Sequence, residues 1–353
     1  MDSWHLLRLL FSPQSRRGKK LLAIWDLKSL PWSVGDSLVF IETVNAVRIE
    51  RNHDAFDLCI IYDDGFPAGN RGRGAPGNHL TSENARDYIL DLLPMFSGAE
   101  GLGSLFLFTS RDEFDRFLRN NLSMYDLFPS LYGLLSEKYN LAGGGVMGEL
   151  VDFKKKRGWV PSLRVPGRSL AWAYDFYRKT LPDGALPVAL SLKVSIHDQR
   201  RNADPAAWLP FLDQCKKEYP EVVFVALGYR EERMKGIEDR TNVVFASDYG
   251  TNVMEQMALI ATSCLYMVVN SGLAAFGLFG PVPYLMYNMH PSQMFFHVPF
   301  TSDTRIIHDN RRLMTPEVLF DDFRQLYGRI DRGGWFSTAL RKGKPQDAFS
   351  AHL

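Results

Sequence analysis

The sequence predicts an α/β protein of two domains, each a parallel β-sheet covered by helices on both faces. Apolar runs of strand length alternate with segments of helical spacing, which is the pattern of parallel sheets. The chain has 353 residues, 46% of them hydrophobic, which is enough for two domains with a core each. The alternation breaks and restarts near residue 165, so we expect domains at residues 1–165 and 166–353.

The first domain opens with a predicted βαβ unit. Leu21–Leu27 and Phe56–Asp64 are apolar runs of buried-strand length, and Ser37–Asn52 between them has helical spacing. The elements expected after this unit are a helix at Ser82–Phe96, a strand at Ser104–Thr109 and a helix at Asp112–Asn121. In the stretch Leu122–Pro166, the spacing of apolar residues predicts neither helices nor strands clearly.

The second domain repeats the alternation with five strands and five helices. The predicted strands are Pro187–Ile196, Val222–Gly228, Asn242–Ala246, Leu265–Val269 and Pro283–Tyr287. The predicted helices are Ser169–Thr180, Pro205–Glu218, Glu231–Ile237, Val253–Thr262 and Ala274–Phe279. Two such arrays make Rossmann-like domains whose sheets face a cleft, and ligands of such sheets bind at the carboxyl ends of the strands.

Charge and cysteine content exclude several classes of protein. The 41 Lys and Arg residues almost balance the 40 Asp and Glu residues, for a net charge of +1, which argues against a nucleic-acid binder and against global disorder. Cys59, Cys215 and Cys264 lie far apart in apolar segments, so we expect free core thiols and a reducing compartment. No apolar run is long enough for a transmembrane helix. These features predict a cytoplasmic protein.

Residues 1–20 combine an apolar first half with a basic second half. This order is the reverse of a secretory signal. The segment suits an interfacial anchor on the inner face of an anionic membrane, and equally a short helix docked on the domain ahead of a solvated basic linker.

The loop after the first predicted strand carries the first candidate residues. Gly35 permits a sharp turn, and Asp36 stands where the following helix begins. This places a carboxylate at the carboxyl end of the sheet. Asp36 is also the residue type expected for a simple N-cap, so spacing alone leaves both roles open.

The turn after the strand Pro187–Ile196 carries the second set of candidates, His197, Arg200 and Arg201. Asp204 suits the N-cap of the helix that follows. Guanidinium groups beside a helix start bind phosphate oxygens well, so this turn suits a diphosphate. A solvated turn with paired arginines is the alternative.

The third set follows the strand Leu265–Val269. Asn270, Ser271 and Gly272 could approach a phosphate with a hydroxyl and backbone N–H groups, although an ordinary strand–helix turn has the same composition. Asp248 ends an earlier strand and could touch a nucleoside.

A glycine pattern typical of dinucleotide-binding sites is present, but its surroundings do not support a dinucleotide cofactor. Gly143, Gly145 and Gly148 match G-x-G-x-x-G, but no strong strand precedes them and Arg168 stands where the acidic residue should be. No zinc spacing, Walker loop or hydrolase elbow is present. We therefore expect no metal and no cofactor beyond a substrate.

Taken in order, these motifs resemble the heptosyltransferase family of GT-B glycosyltransferases, with a fainter similarity to GT-B fucosyltransferases. The motifs that carry the resemblance are Gly35-Asp36, the strand–turn–helix Ile196–Trp208, and Asn270-Ser271-Gly272 with Pro281 and Pro283 downstream. Asn270 replaces the aspartate of the family's Asp-Thr-Gly motif, and the family's histidine after that motif is absent. The resemblance therefore leaves the donated sugar open.

The resemblance implies roles for individual residues. Asp36 would be the base that deprotonates the acceptor hydroxyl, and Arg200 or Arg201 would bind the donor phosphates. Ser271 and Gly272 would offer backbone N–H groups to the same diphosphate.

The expected function is a metal-independent glycosyltransferase, with inversion favoured. It would move a sugar from a nucleotide-sugar donor to a bacterial surface glycan or lipid-linked acceptor. The loop Gly65–Thr81, with Arg71 and Arg73, suits an acceptor lid or a merely mobile loop. Two alternatives stay open: a sugar-nucleotide epimerase using His197 and Asp198, and a non-catalytic nucleotide-sugar- or glycan-binding protein.

Overall fold

The computed structural model describes residues 19–27, 33–62, 85–130, 132, 146–161, 164–194, 201–280, 282–290, 300, 304–309 and 311–330. The chain divides into two compact units, Met1–Leu163 and Arg164–Leu353. We call them the N-terminal and C-terminal units. Their boundary lies close to the one expected near residue 165.

The N-terminal unit contains a parallel sheet with the strand order β3-β2-β1-β4. Its described strands are β1 (Lys20–Asp26), β2 (Phe56–Ile61), β3 (Leu102–Phe108) and β4 (Tyr125–Phe128). Its described helices are α1 (Val34–Glu50), α2 (Ala85–Leu92), α3 (Arg111–Asn121) and α4 (Val146–Arg157). The chain order reverses between β1 and β4, which makes the carboxyl ends of these strands the expected ligand-binding point.

Burial explains why these segments form a parallel sheet. Every residue of β2, and all of β1 except Lys20, is buried, because helices cover both faces of such a sheet. Helix α1 packs against α4, and Ile41 and Val44 of α1 are fully buried. The edge strand β3 alternates between half-buried and exposed residues instead.

The described residues of the C-terminal unit form six parallel strands in the order β10-β9-β8-β5-β6-β7. They are β5 (Leu186–Ser191), β6 (Val222–Ala226), β7 (Val243–Phe245), β8 (Leu265–Val269), β9 (Tyr284–Met289) and β10 (Arg305–Asp309). The helices are α5 (Gly167–Thr180), α6 (Pro205–Glu218), α7 (Val253–Ala261), α8 (Ala274–Phe279) and α9 (Pro316–Tyr327). Counted within the unit, this is the Rossmann order 3-2-1-4-5-6, with its switch point between β5 and β8.

Aromatic packing holds α6 and α9 on this sheet. The ring of Phe211 on α6 meets Phe224 on β6 at 5.7 Å and Phe323 on α9 at 5.9 Å between ring centroids. All three side chains are fully buried. Helix α6 starts as its sequence predicts, with the Asp204 side chain accepting the N–H of Ala206 and Pro205 in the first turn.

The predicted α/β class with two Rossmann-like sheets is confirmed, and two local predictions are wrong. Glu231–Ile237 is not an α-helix: two short 3₁₀ turns, Arg230–Glu232 and Ile237–Asp239, flank Gly236, whose φ of 86° cannot continue a helix. The strand predicted to reach Ile196 ends at Ser191. The structure adds β4, α4, β10 and α9, which the sequence analysis did not identify.

The three cysteines are buried and free, as predicted. No helix in the described part of the chain combines the length and the apolar character needed to cross a membrane.

Candidate functional site

The switch point of the C-terminal unit lies where β5 and β8 run side by side, with Ser191 opposite Val268. The chain then leaves β8 through a short turn, residues 270–273, before α8 begins. We call this segment the 270–273 turn. Asn270 is buried, and the next three residues are half-buried. The turn therefore sits at the edge of the sheet where ligands of this fold bind.

Three consecutive backbone N–H groups of the 270–273 turn have no acceptor among the described residues. The N–H of Asn270 donates to the carbonyl of Tyr287 at 3.0 Å, and the N–H of Ala274 donates to the carbonyl of Ser271 at 3.1 Å. Between them, the N–H groups of Ser271, Gly272 and Leu273 donate to no described residue. Consecutive N–H groups of this kind form a nest that binds anions.

A side-chain donor accompanies these backbone donors. The hydroxyl of Ser271 is buried and makes no hydrogen bond to any described residue. Buried polar groups almost always have a partner. A hydroxyl and three N–H groups that have no partner among the described residues could therefore donate to a ligand oxygen. The structure places Asn270, Ser271 and Gly272 in this turn between β8 and α8.

Arg201 lies at the base of the loop between β5 and α6, close to the same sheet edge. The N–H of Ala203 donates to the carbonyl of Lys193 at 3.0 Å, and the side-chain amide of Asn288 donates to the carbonyl of Asn202 at 2.9 Å. These bonds fix the start of α6 against β5 and β9. Arg201 itself is half-buried.

A cavity opens at the carboxyl ends of β5, β6 and β7, and the sequence analysis did not identify it. Its lining includes Leu192, Gly228, Tyr229 and Glu232. The carboxylate of Glu232 makes no hydrogen bond or ion pair to a described residue. Burial raises the pKa of Glu232, and the positive charge of Lys193 opposes that shift. A partly desolvated carboxylate with no hydrogen-bond partner among the described residues is suited to accept hydrogen bonds from ligand hydroxyls.

Asp248 lies beside this cavity and is engaged by arginines. Its carboxylate accepts hydrogen bonds from Arg230 at 2.6 Å and from Arg233 at 2.5 Å. These bonds, first that of Arg233, hold the pKa of Asp248 below its ordinary value. Arg233 also bonds the Ser247 hydroxyl at 2.7 Å and lies 4.1 Å over the ring of Phe245. In this arrangement Asp248 orients two guanidinium groups, whereas the sequence analysis assigned it to the donor directly.

In the N-terminal unit, Asp36 stands in the first turn of α1. The N-cap is Ser33, not Asp36, so the simple capping role considered for Asp36 is wrong. The hydroxyl of Ser33 accepts the N–H of Asp36 at 3.2 Å and donates to its carboxylate at 2.6 Å. Asp36 is half-buried. The preceding Gly35 lies inside the helix, in the same turn, so the sharp turn predicted at Gly35 is wrong.

A buried ion pair at the carboxyl end of β1 was missed by sequence reasoning. Asp26 is 2% exposed and accepts two hydrogen bonds of 2.8 Å from Arg111 and one of 3.0 Å from the hydroxyl of Tyr132. Burial, and then the charge of Asp26, raise the pKa of Tyr132. Two signals were available: an acid that ends an apolar strand, and an arginine in the first helical turn, where acids are favoured.

Several predicted site residues lie outside the described residues. They are His197, Asp198, Arg200, Arg71, Arg73, Gly143, Gly145, Pro281 and residues 1–18. Gly148, the last glycine of the dinucleotide-like pattern, lies within α4.

Comparison with solved structures identifies the fold. ADP-heptose LPS heptosyltransferase II of Escherichia coli superposes with a TM-score of 0.56 at 12% identity, covering 87% of this chain and 98% of that one. A glycosyl transferase family 9 protein of Veillonella parvula gives a TM-score of 0.52 at 10% identity, covering 90% and 91%. The chain has the GT-B fold. No protein-family model matches this GT-B chain, and no curated protein matches its sequence.

Proposed function

We propose that this GT-B chain is a glycosyltransferase, with the donor nucleotide sugar bound by the C-terminal unit and the acceptor bound by the N-terminal unit. The observation that carries the proposal is the 270–273 turn, where three backbone N–H groups and the buried Ser271 hydroxyl lack partners among the described residues. It lies at the switch point of a doubly wound sheet, where nucleotides bind. The similar proteins of E. coli and V. parvula are named as glycosyltransferases, one of them for ADP-heptose.

The turn would hold the diphosphate of the donor. The N–H groups of Ser271, Gly272 and Leu273 would donate to phosphate oxygens, joined by Arg201, with Arg200 and His197 as further donor contacts. As the bond between the anomeric carbon and the diphosphate breaks, negative charge grows on the leaving oxygen. Preorganised donors at that position stabilise the transition state. This mechanism uses no metal and no cofactor besides the donor.

The ribose of the donor would lie in the cavity of the same unit. Two vicinal hydroxyls fit the two oxygens of one carboxylate, and Glu232 offers such a carboxylate without a described partner. Hydrogen bonds to charged groups contribute about 1.5–3 kcal/mol each, so Glu232 would supply a large part of the nucleoside affinity.

Asp36 would act as the general base. Its carboxylate would take the proton of the acceptor hydroxyl while that oxygen attacks the anomeric carbon, with inversion at that carbon. Ser33 orients the carboxylate through the hydrogen bond of 2.6 Å. Gly35 would allow the acceptor to approach, and Arg71 and Arg73 would contact its anionic groups. We propose a bacterial surface glycan or lipid-linked acceptor, met at the cytoplasmic face of the membrane with residues 1–20 as an anchor.

The substitution Asp36→Asn tests this function. We expect loss of sugar transfer by a factor of about 10²–10⁴, the usual contribution of general-base catalysis, with unchanged affinity for the donor nucleotide. Asp112→Asn is the matched control, because Asp112 is an exposed acid in the first turn of α3. An Asp36→Asn protein that transfers sugar at the wild-type rate would contradict the role of Asp36 as the general base. If the wild type instead binds the donor and transfers sugar to none of the glycan or lipid-linked acceptors, that result would favour the non-catalytic nucleotide-sugar- or glycan-binding protein.

A further inference from the structure

Tyr229 presents an exposed aromatic ring at the rim of the cavity that contains Glu232. Its side chain is 57% exposed, and it lines the cavity. The residue before it, Gly228, has a φ of 103°, and its N–H donates to the side chain of Gln256 at 3.2 Å. Gln256 is itself buried. The backbone that enters Tyr229 is therefore held in place, while its side chain is largely exposed.

Tyr229 and Glu232 belong to one turn of the chain. The N–H of Glu232 donates to the carbonyl of Tyr229 at 3.2 Å, and both side chains line the same cavity. A ribose held through its two hydroxyls carries its base on the neighbouring ring carbon. A ribose bound to Glu232 would therefore bring its base within reach of residues on this turn.

Two other aromatic rings lie at this edge of the sheet, and each packs against a neighbouring side chain. The face of Phe245 is occupied by the guanidinium of Arg233 at 4.1 Å. The ring of Tyr249 packs edge-on against Phe176 at 5.1 Å, and Tyr249 is not among the cavity-lining residues. Of these three rings, Tyr229 is the one that both lines the cavity and is largely exposed.

We propose that the ring of Tyr229 stacks on the base of the donor nucleotide. This inference rests on the proposed function, because it assigns the nucleoside to the Glu232 cavity. Every nucleobase has a π-face, so stacking gives affinity without choosing among bases. The choice of base would then depend on groups around the base edge, and the contribution of Tyr229 should appear with any nucleoside diphosphate that the protein binds.

Isothermal titration calorimetry of the full chain tests this contact. The ligands are ADP, GDP, CDP, UDP and inorganic pyrophosphate, which lacks a base. Tyr229→Ala should lower the affinity for the preferred nucleoside diphosphate about 5- to 150-fold, the range of one base–aromatic stack. The affinity for pyrophosphate should not change. Tyr229→Phe should bind as the wild type does. Tyr249→Ala, which removes a similarly exposed tyrosine, should also bind normally.

Three results would overturn the inference. If Tyr229→Ala binds the nucleoside diphosphate as the wild type does, the base lies elsewhere while the proposed donor site stands. If the variant loses pyrophosphate and nucleotide affinity equally, the effect is general damage to the site and not stacking. If the wild type binds pyrophosphate and every nucleoside diphosphate too weakly to detect, the proposed donor site fails, and this contact fails with it.

Discussion

The hydroxyl of Tyr266 donates a hydrogen bond of 3.1 Å to the backbone carbonyl of Leu273. Tyr266 lies on β8 and is fully buried, and Leu273 ends the 270–273 turn. The sheet thus fixes the position of the turn through a side chain from its own interior. Burial raises the pKa of Tyr266 far above its ordinary value, so this hydroxyl keeps its proton.

Removal of this hydroxyl should loosen the donor site. Tyr266→Phe removes this donor from the carbonyl of Leu273, which keeps the N–H of Phe276 at 3.0 Å. The change should lower the free energy of unfolding by about 1 kcal/mol and weaken pyrophosphate binding. Urea unfolding and calorimetry measure the two effects. Tyr174→Phe is the control, because the buried hydroxyl of Tyr174 bonds no described residue. Equal effects of the two variants would show that the bond to Leu273 has no special role.

Glu232→Gln should stabilise the folded chain and weaken its binding of nucleoside diphosphates. Burial raises the pKa of Glu232, so the ionised carboxylate destabilises the folded chain at neutral pH. This cost is absent below the ordinary pKa of glutamate, about 4.3, and appears as the pH rises through the higher folded-state pKa. The variant should therefore melt at a higher temperature than the wild type at pH 7, and the difference should shrink towards pH 4.

The same variant should bind nucleoside diphosphates more weakly by about 10- to 100-fold, the value of hydrogen bonds to a charged acceptor. Glu231→Gln, a charge-matched change at an exposed neighbour, is the control for both measurements. A Glu232→Gln protein that keeps full nucleotide affinity would argue against ribose binding in this cavity.

Arg111→Leu should destabilise the N-terminal unit. The change removes the guanidinium partner of the buried Asp26 carboxylate, while the hydrogen bond from Tyr132 stays. Breaking a buried ion pair on one side costs about 3–5 kcal/mol. Because the Arg111 side chain is one-third exposed, solvent screening reduces the expected loss below this range, to about 2–3 kcal/mol. Arg116→Leu removes an exposed arginine from the same helix and should change stability by less than about 0.5 kcal/mol. Similar losses in urea unfolding would contradict this account of the pair.

Much of the fold follows from apolar patterning alone. The predicted bounds of Leu265–Val269, Pro205–Glu218 and Ala274–Phe279 agree with the structure to the residue. Each is flanked by a turn residue or begins at a recognisable cap. The spacing of apolar residues and the residues that start and end the element therefore predict the same bounds. Helix α9 carried the same signals, with Thr315 as N-cap and Pro316 in the first turn, and could have been predicted.

Other elements depend on contacts that no local pattern contains. Strand β4 has four residues, and its place is set by pairing with β1. Residues 231–235 are good helix formers, yet Arg233 turns towards Asp248, and Gly236 after them adopts a left-handed conformation. Tertiary contacts override helix propensity there.

In the candidate site, too, some features follow from local sequence pattern and others depend on tertiary contacts. The 270–273 turn and Asp36 were identified from strand ends and turn residues. The partnership of Asp26 with Arg111 joins residues 85 positions apart, and the exposure of Glu232 to a cavity depends on three strands meeting at one edge. Neither could be read from spacing within one segment.

The central claim is that the C-terminal unit binds a nucleoside diphosphate, and a thermal-shift measurement tests it most directly. The wild-type chain is melted with UDP, GDP, CDP, ADP, CMP and NAD⁺ in turn, with and without EDTA. A ligand that binds only the native state raises the melting temperature by mass action. The account predicts a rise with at least one nucleoside diphosphate that persists in EDTA. A rise with NAD⁺ alone, or no rise with any nucleoside diphosphate, would contradict it.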